Sequence, residues 1–208
     1  MKTIAPFTDK TQALNELDNG GHFYNFLTKA NDGLISSAEL GKVGGIFNDK
    51  QQMILFLEMS VRKLNEADKR VIIASLDDNL QKAYKKYKSL ELLPSEAKEQ
   101  GIIASNAIIT GIPRLIESKS EFNGYLMFPI TNGNITSFMM IPMVNEYDVY
   151  ELRDEESSET FLIAHAKADD KLPCKRITFG GVLKELNSEE SGEGEKEKFL
   201  EIIYRIDI

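Results

Sequence analysis

The chain is poor in the residues that most often carry chemistry. Among 208 residues there is no tryptophan, one cysteine and two histidines. A single cysteine, Cys174, cannot close an intramolecular disulfide and leaves no Cys-rich zinc site, so a reducing compartment is expected. Long apolar runs are missing too. The richest, Met53 to Leu57, falls far short of the roughly 18 residues that mark a membrane-crossing helix. The first residues, Met1 to Phe7, lack the apolar core of a signal peptide. The expectation is a cytoplasmic protein without a membrane partner.

Sequence motifs for catalysis are equally scarce. There is no Gly-x-x-x-x-Gly-Lys-Ser/Thr phosphate loop, no Gly-x-Gly-x-x-Gly and no Gly-x-Ser-x-Gly nucleophile elbow. Gly192-x-Gly194 stands in a run of glutamates that would repel phosphate. Positive charge is short in one half only. Residues 102–208 hold 11 Lys/Arg against 19 Asp/Glu, a net −8, whereas residues 1–101 hold 14 of each. That imbalance disfavours nucleic-acid backbones and anionic membranes as partners.

What is present suits a folded protein: 42% hydrophobic and 28% charged residues supply enough apolar material for a core. The pattern changes at Leu92–Gly101, with apolar residues at helical spacing before it and at strand spacing after it. The reading is an α+β protein. A helical bundle spans 1–93, a hinge 94–101, and an antiparallel β-barrel or sandwich, OB-like or lipocalin-like, 102–208.

In the first half, Thr8 or Asp9 caps a helix carrying Ala13, Leu14 and Leu17, and His22–Lys29 reads as a second. Ser36 and Glu39 fit a capping box opening a helix to about Phe47. Asn48 or Asp49 caps another to about Leu64 that is apolar nearly all round, hence buried. One long helix is expected from Glu66 to Leu90, with Ile73, Leu76, Leu80, Ala83, Tyr87 and Leu90 as its stripe.

Asp32-Gly33-Leu34-Ile35-Ser36-Ser37-Ala38-Glu39 matches the second half of a calcium-binding EF loop, with Asp32 and Glu39 as candidate ligands. Thr28 and Ala30 occupy positions 1 and 3, where oxygen ligands belong, so a turn and cap is the preferred reading. The same Asp-Gly-x-Ile-Ser-x-x-Glu pattern, followed by long helices, resembles the helical domains of the TerB-like, tellurite-resistance type over residues 10–90. The resemblance implies an all-helical N-terminal part. Asp77-Asp78, without a following glycine, is all that stands for that family's second acidic motif.

In the second half, seven short strands are expected, at 107–110, 124–131, 135–144, 147–153, 160–167, 176–186 and 199–206. Asn132-Gly133 signals a hairpin turn, Gly180-Gly181 a bulge or bend, and Pro129 and Pro142 edge strands.

No cofactor is implied, and a non-catalytic binding or adaptor role is the reading. It would engage a protein or small ligand near the junction of the halves. Candidate binding residues are Tyr84 and Tyr87 beside the lysines of the long helix, Phe128 and Phe138 in the Met- and Phe-rich β segment, His165 and Arg176. Two alternatives stand beside it. One is single-stranded nucleic-acid binding by an OB-like barrel, with Phe161 or Phe179 stacking on bases and Lys167, Lys171, Lys175, Arg176 and Lys184 as cations. The other is an enzyme using Cys174 or His165.

Overall fold

The computed structural model describes residues 1–20, 29–132, 135–154, 159–166, 171–185 and 198–207, with the side chains of 117–146 and 166 outside that description. The expected helix at 22–29, His22, Gly133-Asn134, Lys167 and the acidic loop at 187–195 therefore lie largely or wholly outside the described residues.

Capping chemistry places the helix starts. Helix α1 (Lys10–Leu17) begins at Asp9, whose carboxylate accepts from Gln12 N at 2.8 Å. Helix α2 (Ser37–Gly44) carries the expected capping box. Helix α3 (Lys50–Ser60) begins at Asp49. Caps of this kind typically contribute about 1 kcal/mol each.

The long helix expected over 66–90 is two helices, α4 (Glu66–Ala74) and α5 (Asp78–Tyr87). The interruption is tertiary in origin. Ile35 bridges in parallel to Leu76, its N–H donating to Ser75 O at 2.7 Å while its carbonyl accepts from Asp77 N at 2.9 Å. Asp77 then caps α5 through Leu80 N at 2.7 Å. Ile72, Leu76, Leu80 and Ala83 all reach one core despite the break, so the apolar spacing gives no sign of it.

The second half is a closed five-strand barrel. Its strands are β3 (Asn106–Asn132), β4 (Ile135–Arg153), β5 (Thr160–Ala166), β6 (Ile177–Glu185) and β7 (Lys198–Asp207). They close in the order β3-β4-β5-β7-β6-β3. All pairings around the ring are antiparallel except β5–β7, which is parallel. The ring replaces the expected sandwich, and its five strands the larger lipocalin-like count. The first two expected strands fuse into β3 and the next two into β4. Register shifts at Leu115/Glu117 and Phe122/Tyr125 bend this ladder without ending it. Beyond the barrel β3 and β4 continue as a two-stranded ribbon to Asn132 opposite Ile135. Pro129 and Pro142 sit in it, and no third strand needs their missing donors among the described residues.

Two short strands from the first half join this sheet: β1 (Lys2–Thr3) parallel to β7, and β2 (Leu90–Leu92) parallel to β3. Between β2 and β3, residues 94–100 form α6 (Pro94–Gln100), with proline in its first turn and Ala97 in the barrel core. Ile109, Tyr150, Leu152, Phe161, Ile163, Phe179, Leu183 and Leu200 fill that core, as side chains do in a small barrel.

Helix α3 is apolar all round because it serves two cores. Ile54 and Leu57 pack with α1, α4 and α5, while Leu55, Phe56 and Met59 pack on Ile108, Tyr204 and Ile206 of the barrel. Gly180 permits this approach: a Cβ there would stand 3.0 Å from Met59 Sδ. At Gly181 a Cβ would meet Glu201 O at 2.1 Å, and the ladder shifts register between the two glycines, as the expected bulge requires. Asn106 ties the same junction, its Nδ2 donating to Gln51 O and Tyr87 O. No helix among the described residues is long and apolar enough to cross a membrane.

Candidate functional site

A cleft of about 520 Å³ opens where the helices meet the barrel, a volume within the usual range for small-ligand sites. Leu57, Glu58, Val61 and Arg62 come from the end of α3 and the turn after it. Glu66, Lys69, Arg70 and Ile73 come from α4. Tyr84, Lys88, Ser89, Glu91 and Ile108 complete it from α5, β2 and β3. A shallower groove of about 210 Å³ between α4 and α5 shares Arg70, Ile73 and Tyr84 and adds Lys85.

Glu58 is the acidic group set deepest in this lining. It is the one charged side chain in the apolar run Met53–Val61, and α3 carries it to the junction between its two buried faces. Its Oε2 accepts from Ser89 N at 2.9 Å and from the Ser89 hydroxyl. Burial raises its carboxyl above the usual range, while the Ser89 hydrogen bonds and nearby Lys88 oppose that shift. Tyr84, half-buried beside it, is pushed up to about 12, first by burial and then by the charges of Glu58, Glu66 and Glu91. Tyr84 is therefore a neutral hydroxyl at physiological pH.

The other acids of the lining are paired. Arg62 Nη1 lies 3.0 Å from Glu91 Oε1, and Lys69 Nζ lies 2.8 Å from Glu66 Oε1. Arg70 and Lys88 make no ion pair among the described residues, nor does Lys85 in the adjoining groove.

Of the binding surface singled out in the sequence, Tyr84 and the neighbouring Lys88 line this cleft. Tyr87 packs against the helical core with Lys86 Nζ 4.7 Å over its ring. Phe128 and Phe138 lie on the ribbon at register positions opposite Met139 and Pro129, and their side chains are outside the description. His165 is 1% exposed and stacks on Tyr150 with ring centroids 5.6 Å apart, so it belongs to the barrel interior. Arg176 and Cys174 are exposed in the segment before β6. Glu58, Ser89, Arg62 and Arg70 were missed. The one available signal was a lone carboxylate inside an otherwise apolar helix.

One expectation requires correction. Phe161 and Phe179 are core residues, so neither offers a face for stacking on a base. Two of the proposed cations are also engaged, Lys184 with Glu201 at 2.7 Å and Lys175 with Asp207 at 3.9 Å. For the half EF loop, the carboxylates bind backbone donors. Asp32 Oδ1 accepts from Leu34 N at 3.0 Å. Glu39, 1% exposed, accepts from Gly20 N at 2.7 Å through one oxygen and from Ser36 N and Oγ at 2.8 and 2.9 Å through the other. Asp18 takes Asp32 N and Gly33 N at 3.2 and 2.8 Å, and Gly33 holds φ +85°, which favours glycine. These carboxylates spend acceptor capacity on backbone donors, and Ser36 with Glu39 forms the capping box, which supports the turn-and-cap reading. Among the described residues, no group of three or more His, Cys, Asp or Glu is placed to hold a metal.

Comparison with known proteins adds no family: no family model matches the chain, and no curated protein matches it significantly.

Proposed function

We propose that this protein is a non-catalytic binding module that takes a small ligand in the cleft between its helices and its barrel. In this reading α1–α5 act as a bundle seated on an OB-like barrel, a description supported by the five-strand ring and its single parallel closure. The observation that carries the function is Glu58. A carboxylate half-buried at a fold junction, held on one oxygen by Ser89 and bordering a cleft of mixed polar and apolar lining, is a costly feature for packing alone. Ile73, half-buried, offers apolar contact above the core residues Leu57, Val61 and Ile108, while Tyr84 and Glu58 offer directional hydrogen bonds.

A fragment library screened by ligand-observed NMR tests the reading. Fragments that bind the wild type are expected to be lost from Ile73→Trp, whose indole fills the cleft. Equal binding to both proteins refutes the assignment.

The barrel's ring order is the one observation that favours nucleic-acid binding as a second reading. Its stacking residues are buried and its half of the chain is acidic, so it ranks below the cleft.

A further inference from the structure

The charges lining the cleft are unequally committed. Glu91 pairs with Arg62 and Glu66 with Lys69, whereas Glu58 accepts only the neutral donors of Ser89; the four cations and three acids of the lining leave one positive charge in excess. Arg70 on α4 and Lys88 at the end of α5 make no direct ion pair among the described residues, although both act at longer range on Glu66 and Lys88 also on Glu58; Lys85 extends the same character into the adjoining groove. A concave surface backed by a packed protein interior concentrates the field of such charges. This local positive character arises in a chain of net charge −8.

We propose that the cleft recognises a small organic anion, a carboxylate or phosphate monoester on an apolar body. Arg70 and Lys88 hold the anionic group, and Ile73 and Tyr84 contact the body. The inference rests on the cleft reading above and adds its ligand class. Arginine presents a planar fork of donors that matches both oxyanions, and lysine adds a point charge. Burial favours the protonated form of Glu58, so it opposes an incoming anion less than an exposed carboxylate would and supplies a donor when protonated. Ile73 and the ring of Tyr84, both half-buried, are the apolar surface that such a ligand would meet. A polyanion such as nucleic acid fits less well, because it needs a basic track continuing beyond the cleft and the adjacent half is acidic.

The test uses a matched pair of dyes, 8-anilinonaphthalene-1-sulfonate and its uncharged analogue N-phenyl-1-naphthylamine, titrated by fluorescence into the full chain. Wild type is expected to bind the sulfonate at one site, and benzoate or phenyl phosphate is expected to displace it. Whichever competes at lower concentration identifies the oxyanion. Arg70→Gln and Lys88→Gln should each weaken the sulfonate about tenfold, the scale of one charge-assisted contact, and leave the neutral dye unchanged. Ile73→Trp should remove both dyes; if it does not fold, Glu66→Trp, at an exposed position of the same cleft lining, replaces it. If both glutamine variants keep wild-type sulfonate affinity while the tryptophan variant loses both dyes, the anion inference is overturned and the cleft stands. Both dyes persisting in the tryptophan variant overturns the cleft itself.

Discussion

The contact of α3 on β6 makes a quantitative prediction about what joins the helices to the barrel. A Cβ at Gly180 would lie 3.0 Å from Met59 Sδ, 3.1 Å from its Cγ and 3.2 Å from Leu55 Cδ1. Gly180→Ala therefore obliges a flexible thioether to move by a few tenths of an ångström, at a cost of about 1 kcal/mol. At Gly181 the obstruction is the Glu201 carbonyl oxygen at 2.1 Å, which cannot move without opening the β6–β7 ladder, so Gly181→Ala should cost about 3 kcal/mol or more. Met59→Ala alone should cost about 2–5 kcal/mol as a buried truncation, but it vacates the space that a methyl group added at Gly180 needs. The double variant Gly180→Ala/Met59→Ala should then be more stable than the sum of the single losses by about 1 kcal/mol. Urea denaturation of the four proteins measures this coupling. Additivity within about 0.5 kcal/mol would show that α3 does not rest on Gly180, because distant sites add to that tolerance.

Four further outcomes follow from the geometry. Because burial raises the folded Glu58 carboxyl above its ordinary value near 4.5, ionising it opposes folding. Wild type should therefore lose stability relative to Glu58→Gln as pH climbs from about 4.5 through the raised value. Each unit of displacement is worth about 1.4 kcal/mol, and a pH-independent difference in urea midpoints would refute the burial argument. Glu39→Gln replaces an acceptor oxygen facing Gly20 N or Ser36 with a second donor, so a loss of about 2 kcal/mol or more is expected. Calcium or EDTA should leave the wild-type melting temperature unchanged, and a calcium-dependent rise would reinstate the EF-like reading. Filter binding of a labelled single-stranded oligonucleotide should show no retention at about 50 mM salt, where electrostatic binding is strong; retention there would restore the nucleic-acid alternative.

Local rules were legible in the sequence because they act over a few residues. Asp9 and Asp49 cap their helices, Ser36 and Glu39 form a capping box, and Gly180-Gly181 mark a bulge. The change from helical to strand spacing near Leu92 also announced an α-then-β chain. Features that depend on distant segments were hidden. The break between α4 and α5 depends on Ile35 meeting Leu76, a pairing with no signature in the stripe it interrupts. The apolar circumference of α3 announced burial, yet only the tertiary structure divides it between helices and barrel. Strand count and closure were equally concealed, since a bulge that bends β3 reads in sequence like a strand end, and the parallel β5–β7 pairing joins non-consecutive strands. The cleft belongs to this second class. Glu58, Arg70, Tyr84 and Ile108 come from four elements, and a site assembled across elements has no spacing for a sequence to display. Composition and short-range capping thus determined the class and the helix starts. Long-range packing alone decided where a charged cleft lies and which of its charges form direct ion pairs.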